Sequence, residues 1–325
     1  MGYLIGIDGG GTKTRSIAAD INGRIVGATE VGPSNFLAVG EEGIKRIVSE
    51  IMSLFEIRGC FDPKQMDCCV LGLAGAGREK DQQRALQAVR ALGLPGEIIV
   101  ESDAYVALMG AFEGRPGIII ISGTGSICFG LDDAGKLHRC GGWGYLLGDE
   151  GSGYYIGHQG VLAALKDHDG RGEPTMLRQE IESHLGVSRI DEIIPQVYAE
   201  QSLGKENIAN LAPLVFECAD SGDTVSERIV SEAAKELAEM IRSVGTKLAQ
   251  PGGRIEVAHT GSVFQQKEKL IPRIKKHLQS SFREVEIHEP SLEPALGAII
   301  LGLRRLKVPL TPEILKNLRS PYEMV

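Results

Sequence analysis

The segment that most constrains the fold is Ile5–Thr14, which reads IGIDGGGTKT. An apolar run leads into it from Tyr3, the carboxylate of Asp8 ends that run, and three glycines follow before an apolar run resumes at Ile17. This order predicts a strand, a tight glycine turn and a second strand. Glycines lack a Cβ, so the backbone can approach an anion closely and present N–H groups to it. Taken alone, the segment is better explained as an ordinary hairpin turn, because Gly-Gly also satisfies positive φ.

The same pattern returns in the middle of the chain. An apolar run over Gly117–Ile121 leads into the glycine turn Ser122–Ser126, and a second apolar run, Ile127–Leu131, follows it. A hairpin-turn sequence comes after each copy, Ile21–Arg24 in the first and Asp132–Lys136 in the second. Two copies of strand, glycine turn, strand and hairpin turn predict a duplicated α/β fold with facing phosphate loops.

Composition and charge exclude several classes of partner. The 325 residues carry a formal net charge of −8, which argues against nucleic acid or an anionic membrane, since both bind basic surfaces. No apolar run approaches the roughly 20 residues that span a bilayer. The six cysteines form no C-x-x-C pair, so we expect reduced thiols. The chain enters its first strand directly, and we therefore expect no signal peptide and a cytoplasmic location.

Two common phosphate-binding motifs do not fit. A Walker A loop that starts at Gly6 needs Lys directly after Gly11, where the chain has Thr12. A Rossmann fingerprint that starts at Gly123 needs its third glycine where the chain has Cys128. Neither fold is predicted.

The ordered set of glycine segments resembles the actin/hexokinase/Hsp70 superfamily. In that comparison Asp8–Thr12 is the first phosphate loop, Ser122–Ser126 the second, His259–Val263 the adenosine loop, and Glu293–Ile300 the second connecting helix. Within the superfamily the chain looks like the N-acetylglucosamine kinase family of the BadF/BadG-type ATPase group. The segments that carry this resemblance are Thr12, Ser34–Asn35, Ser102–Ala104, Ile121–Ser126, Cys140–Gly144 and Gly148–Ser152.

The resemblance implies a two-domain actin-like ATPase (ribonuclease H-like) fold of the α/β class, with duplicated mixed β-sheet halves and a cleft between them. We expect residues 1–115 to form the N-terminal domain, joined by the C-terminal segment 305–325. We expect residues 116–304 to form the C-terminal domain, with a helical insertion at about 167–224. A long helix is predicted over 225–249, ended by Pro251.

The resemblance also implies transfer of the γ-phosphoryl of ATP to a hydroxyl of an amino sugar, with Mg²⁺. Asp103 would be the catalytic base that takes the hydroxyl proton. From the residues alone, Asp103 at a strand-to-helix junction is better explained as a helix N-cap. Asp8 would hold Mg²⁺ through water, or else shape the turn. A homodimer is expected.

The remaining site residues follow from the same resemblance. The sugar would contact Asn35, Ser126, Ile127, Gly142, Trp143, Gly144, Tyr145 and Asp149, together with Asp103. The nucleotide would contact Gly10, Gly11, Thr12, Lys13, Gly123, Thr124, Gly125, Ala212, Gly261 and Ser262. For several of these the residues allow another interpretation: Asn35, Thr12 and Thr124 as turn residues, Trp143 as core and Ala212 as an unremarkable small residue. Glu150 is as consistent with a structural cap as with a functional role.

The sequence leaves the sugar open. Ile127 is apolar where some animal members of the family carry a polar residue, so N-acetylglucosamine, N-acetylmuramic acid and glucosamine all stay possible. Two rival functions use the same fold. One is an ATPase activator of a 2-hydroxyacyl-CoA dehydratase, which needs cysteines that bridge an iron–sulfur cluster; Cys128 and Cys140 lack a glycine-flanked cluster motif. The other is a nonenzymatic sugar sensor.

Overall fold

The computed structural model describes residues 2–198, 204–248 and 252–324. The chain divides into two compact units, one made of Met1–Pro116 with Pro290–Val325 and the other of Gly117–Glu289. Each unit contains one five-stranded mixed β-sheet and several helices. The predicted α/β class with duplicated mixed sheets is confirmed.

The sheet of the first unit has the strand order β3-β2-β1-β4-β5. Strands β1, β2 and β3 are antiparallel neighbours, whereas β4 and β5 run parallel to β1. The carboxyl ends of β1, β4 and β5 therefore meet at one edge, where Gly9 pairs with Leu73 and Leu73 pairs with Ser102. The strands are β1 (Tyr3–Gly9), β2 (Thr14–Asp20), β3 (Ile25–Val31), β4 (Met66–Leu73) and β5 (Glu97–Ser102).

Helices cover both faces of this sheet, because β1 is apolar on both sides. Ile5 and Ile7 pack into the core that α1 and α2 form, while Gly6 lies against α11 on the opposite face. Side chains alternate along a strand, so Asp8 lies on the same face as Gly6. The helices are α1 (Phe36–Ile57, with a break at Gly40), α2 (Glu79–Arg90), α3 (Asp103–Ala111), α11 (Pro294–Arg305) and α12 (Pro312–Leu318).

The position of α11 corrects the predicted domain boundary. A Cβ on Gly297 would be 2.0 Å from the carbonyl oxygen of Val106 in α3, and one on Gly6 would be 2.1 Å from that of Ala295. Such close backbone contact is possible only because both positions are glycine. Residues 290–304 therefore belong to the first unit, although the sequence analysis assigned them to a domain spanning 116–304.

The second unit repeats the arrangement of the first, with the strand order β10-β9-β6-β7-β8. Its first three strands are again antiparallel, and β9 and β10 are parallel to β6. The repeated connectivity confirms the duplication that the two glycine turns predicted. The strands are β6 (Gly117–Ser122), β7 (Ser126–Leu131), β8 (Leu137–Gly141), β9 (Arg254–Thr260) and β10 (Glu284–His288).

The helices of the second unit include α5 to α8, which lie between residues 167 and 224 where a helical insertion is expected, and the predicted long helix α9. Residues 199–203 of the insertion, and residues 249 and 251 at the end of the long helix, lie outside the described residues. Within the described ranges, no helix is both long and apolar enough to cross a membrane. The helices are α4 (Gly153–His168), α5 (Leu177–Leu185), α6 (Ile193–Tyr198), α7 (Lys205–Ala209), α8 (Ala212–Asp220), α9 (Thr224–Leu248) and α10 (Lys267–Leu278).

Candidate functional site

The first glycine loop, Asp8–Thr12, forms a closed turn at the end of β1. The N–H of Gly10 donates to the carbonyl of Lys13 over 3.0 Å, and Gly11, Thr12 and Lys13 are solvent-exposed. A Cβ on Gly11 would meet nothing within 4 Å. Lys13 makes an ion pair of 2.8 Å with Glu30 of β3. The loop therefore presents exposed backbone and one lysine at the edge of the sheet.

Two further segments, one at Ser34 and one at Ala74, are hydrogen-bonded to this loop, and the first of them brings Asn35 beside it. Ser34 N donates to Gly10 O over 3.0 Å, and Ala74 N donates to Gly9 O over 2.8 Å. Asn35 is the N-cap of α1, since its Oδ1 accepts from Leu37 N over 3.1 Å. This cap uses the oxygen of the amide and leaves its two N–H donors for another partner.

Asp103 is not the N-cap of α3, so that alternative is wrong. Ser102 fills the role, because its Oγ accepts from Tyr105 N over 3.2 Å. Asp103 is the first helical residue, and its Oδ1 accepts from Ala104 N over 2.8 Å. Burial raises the pKa of Asp103, and the Ala104 N–H opposes that effect. A carboxylate with a raised pKa is better matched to accepting a proton near neutral pH.

Asp8 lies in a strongly negative environment. Burial, followed by the carboxylates of Asp103 and Glu293, raises the pKa of Asp8 to about 7, while Arg15 and Lys13 act in the opposite direction. A divalent cation would relieve this repulsion. The site fits Mg²⁺, which prefers one or two carboxylates together with water and phosphate oxygens. Among the described residues no set of three or more His, Cys, Asp or Glu side chains forms a protein-only metal site.

The second glycine loop, Ser122–Ser126, is bonded along its length to the segment that follows the tryptophan. Ser122 Oγ donates to Gly151 O over 2.8 Å, and Ser126 Oγ donates to Glu150 O over 2.7 Å. Gly153 N donates to Gly123 O over 2.7 Å. The loop is therefore held rigidly against residues 149–153.

Asp149 is buried in this junction with a backbone φ of 64°. A Cβ on Gly125 would be 2.7 Å from Asp149 Oδ2. Burial raises the pKa of Asp149, and hydrogen bonding from the N–H groups of Ser126 and Gly144 opposes it. The neighbouring Glu150 side chain is exposed. Ser152, rather than Glu150, caps α4.

The tryptophan loop is Gly142–Tyr145, in which Gly142 is half-buried and the three residues after it are exposed. Trp143 is 68% exposed, so the alternative of a core tryptophan is wrong. Its ring lies under the Arg139 guanidinium, 5.1 Å from the ring centroid. A Cβ on Gly142 would be 2.3 Å from Ile127 Cδ1. Ile127 and the tryptophan loop therefore form one surface at the start of β7.

The predicted adenosine segment touches the second glycine loop. Gly261 has a φ of 105°, and a Cβ there would be 2.2 Å from Ser122 O. A Cβ on Gly123 would be 3.9 Å from Ser262 N and from Ser262 Oγ. Ala212, by contrast, is the first residue of α8 and belongs to the apolar core of the unit, with 4% exposure. The structure thus joins Gly261 and Ser262 to the loop and places Ala212 within the core.

Sequence reasoning missed two charged residues beside Asp8. Arg15 is the cross-strand partner of Asp8, and its Nε is 2.8 Å from Oε2 of Glu293. Arg15 could have been found from the sequence, because a tight turn fixes the register of the strands that it joins. No local signal indicates that Glu293, which is distant in sequence, returns to the same position.

The cysteines weigh against the dehydratase-activator alternative. Cys128 pairs with Cys140 across β7 and β8, and Cys128 is fully buried. Burial raises the pKa of Cys128 well above its ordinary value. A buried thiol of this kind is a poor cluster ligand at a subunit boundary.

Two mixed α/β units, each with a glycine loop after its first strand, define the class of two-unit actin-like ATPases. The chain belongs to the BadF/BadG/BcrA/BcrD ATPase family, whose model matches residues 5–302.

Named relatives cover nearly the whole chain. It is 37% identical over 304 residues to an N-acetylmuramic acid/N-acetylglucosamine kinase of Clostridium acetobutylicum, a match that covers 93% of this chain and 98% of the relative. It is 34% identical to an N-acetyl-D-glucosamine kinase of Dictyostelium discoideum, a match that covers 94% of this chain and 98% of that relative. The fold is similar to the crystal structure of a candidate N-acetylglucosamine kinase from Chromobacterium violaceum, with a TM-score of 0.73 and 26% sequence identity. That match covers 93% of this chain and 99% of the other.

Proposed function

We propose that this protein is an ATP-dependent amino-sugar kinase that transfers the γ-phosphoryl group to a hydroxyl of N-acetylglucosamine or a related hexosamine. The observation that carries the proposal is the sequence similarity, 37% and 34% identity over nearly the whole chain, to two relatives that are named as kinases of such sugars. The carboxylate of Asp103, with its raised pKa at the edge of the first sheet, supports it chemically.

Asp103 is the proposed base. Its carboxylate accepts the proton of the sugar hydroxyl while the hydroxyl oxygen forms a bond to the γ-phosphorus. The bond between that phosphorus and the β–γ bridging oxygen breaks, and ADP leaves with the bridging oxygen. Because the pKa of Asp103 is raised, kcat/KM is expected to fall on the acid side at a higher pH than an ordinary aspartate would give.

The proposed sugar contacts include Asn35 and the tryptophan loop. The free amide donors of Asn35 suit sugar hydroxyl oxygens, and the exposed indole of Trp143 suits the apolar face of a sugar or its acyl group. The proposed set is completed by the carboxylate of Asp149 and by five further residues: Ser126, Ile127, Gly142, Gly144 and Tyr145. The apolar Ile127 leaves N-acetylglucosamine, N-acetylmuramic acid and glucosamine as the candidate substrates.

Nucleotide binding is proposed at the glycine loops. Backbone N–H groups around Gly10–Lys13 and Gly123–Gly125, with the hydroxyls of Thr12 and Thr124, would take the phosphates. Gly261 and Ser262 would line the nucleoside, with Ala212 acting through the shape of the core behind it. Bound Mg²⁺ would neutralise phosphate charge, and Asp8 would hold it through water. We further propose that the protein is cytoplasmic and forms a homodimer. Light scattering of the purified protein would test the oligomeric state.

The experiment is an ADP-release assay with ATP and a panel of hexosamines, comparing wild type with Asp103→Asn. The variant is expected to lose about 10²–10⁴-fold in kcat, with a smaller change in KM. Glu79→Gln, which removes a carboxylate from the first turn of α2 in the same unit, is the matched control and should retain activity. A wild-type protein that phosphorylates no hexosamine, or an Asp103→Asn variant with full activity, would contradict the proposal.

A further inference from the structure

Arg15 connects three parts of the first unit. It lies on β2 directly opposite Asp8. Its Nε is 2.8 Å from Glu293 Oε2 at the start of α11, and its Nη2 donates to Tyr322 Oη over 3.2 Å. The guanidinium also lies over the Tyr322 ring, 5.8 Å from the centroid. The C-terminal segment therefore helps to hold Arg15 next to the first glycine loop.

Glu293 is not explained by a role in capping its own helix. It occupies the N-cap position of α11, but its side chain accepts no hydrogen bond from the backbone of that helix. Its contact with Arg15 lacks hydrogen-bond geometry at Nε, which is buried, so the attraction is one of charge. A partly buried glutamate that neither caps a helix nor makes a well-directed hydrogen bond to any residue in the described ranges is costly to retain for stability alone.

The charges around Asp8 point to a functional role for Glu293. Arg15 lies directly opposite Asp8 on the neighbouring strand, and its Nε is 2.8 Å from Glu293 Oε2, so Arg15 connects the carboxylates of Asp8 and Glu293. Asp103 begins α3 after β5, at the same edge of the sheet. When ionised, these three carboxylates outnumber Arg15 by two negative charges, and the other nearby cation, Lys13, is paired with Glu30. The cluster therefore carries a net negative charge that a divalent cation would neutralise. Magnesium retains several waters in proteins, and carboxylates that accept from those waters orient them.

We propose that Glu293 is a second carboxylate of the cation site, oriented by Arg15. Arg15 holds Oε2, and the other oxygen accepts a hydrogen bond from water on the Mg²⁺ that Asp8 is proposed to bind. This inference rests on the proposed nucleotide-dependent function. Glu293 and Arg15 are thus positioning residues, and Tyr322 supports the arrangement from the C-terminal segment.

The test measures metal binding directly. Mn²⁺, a paramagnetic substitute for Mg²⁺, is titrated into the full-length protein with saturating ADP, and free Mn²⁺ is read by electron paramagnetic resonance. Glu293→Gln is expected to weaken Mn²⁺ binding about 10-fold or more, while ADP affinity in EDTA stays as in wild type. Glu97→Gln is the matched control, because Glu97 pairs with Arg305 at the opposite end of the same sheet.

The role of Arg15 is tested by rescue. Arg15→Met should weaken Mn²⁺ binding nearly as much as Glu293→Gln does, and Arg15→Lys should recover part of it because the positive charge is retained. Unchanged Mn²⁺ affinity in Glu293→Gln, or an equal loss in Glu97→Gln, overturns the proposal, as does a wild-type protein that binds no Mn²⁺ with ADP. A protein that phosphorylates no sugar but shows the Glu293 dependence would sink the proposed function and leave this inference standing.

Discussion

The carboxylate of Asp149 lies directly against the α-carbon of Gly125, so that a Cβ added to Gly125 would be 2.7 Å from Asp149 Oδ2. The carboxylate also receives hydrogen bonding from the backbone N–H groups of Ser126 and Gly144. One buried side chain thus contacts the second glycine loop and the tryptophan loop together. Any change that moves Asp149 is expected to alter both segments.

Gly125→Ala is expected to distort the second glycine loop, because the new methyl group would displace the buried Asp149 carboxylate. A loss of about 1–3 kcal/mol in the free energy of unfolding is expected from this overpacking, together with weaker ADP binding. Gly123→Ala is the matched control in the same loop, since its Cβ would be 3.9 Å from the nearest atoms. Urea denaturation compares the stability of the two variants, and an equal loss in both would contradict the steric explanation. ADP titration of Gly125→Ala against wild type measures the effect on the loop.

Substitutions at Asp149 separate backbone strain from the carboxylate. The φ of 64° is unfavourable for alanine and costs glycine nothing. Asp149→Gly should therefore be more stable than Asp149→Ala by about 1 kcal/mol, although both lose the carboxylate and both should weaken sugar binding. Denaturation gives the first comparison, and sugar KM gives the second. If glycine and alanine are equally stable, strain at this position is not significant.

The duplicated fold was predictable because its signal is local. Both glycine turns join consecutive antiparallel strands, so a short stretch of sequence such as Ile5–Thr14 contains the strand, the turn and the returning strand. The junction at Ser102–Asp103 was likewise visible as a strand end followed by a helix start. What the sequence did not decide was which of the two residues caps α3, because Ser and Asp are both good N-caps.

The domain boundary and the approach of Glu293 to Asp8 were not predictable, because both depend on contacts between distant segments. Helix α11 follows the second unit in the chain yet packs on α3 through Gly297. Small residues in a helix favour close packing, but they do not identify the partner helix. Glu293 reaches Arg15 for the same reason.

Gly297→Ala is expected to destabilise the first unit severely. The new methyl carbon would be 2.0 Å from Val106 O and 2.5 Å from Gly110 N, and these backbone atoms cannot move without separating α3 from α11. A loss of about 3 kcal/mol or more is expected. Gly302→Ala in the same helix meets only side-chain atoms, the nearest being Leu4 Cδ2 at 2.8 Å, and should cost less. Thermal and urea denaturation compare them, and a smaller loss for Gly297→Ala would refute the packing argument.

Asp8→Asn is expected to stabilise the protein at neutral pH when Mg²⁺ and nucleotide are absent. The pKa of Asp8 is raised from 3.8 to about 7, so the folded state binds more protons than the unfolded state between those values. The contribution of Asp8 to stability therefore falls as pH rises from about 4 to about 7, and then stays constant. At pH 8 in EDTA the variant should gain about 1–4 kcal/mol over wild type, and the gain should disappear near pH 4.

The same variant should lose its advantage when ligand is present, which separates electrostatic repulsion from other causes. Mg²⁺ with ADP stabilises a folded protein more strongly the more tightly that protein binds it. The melting temperature of wild type should therefore rise more than that of Asp8→Asn. Asp67→Asn, an exposed carboxylate on β4 of the same sheet, controls for the loss of one charge and should show neither effect. A gain that is the same at pH 4.5 and pH 8, or a variant less stable than wild type throughout, would mean that Asp8 is compensated by contacts other than a cation.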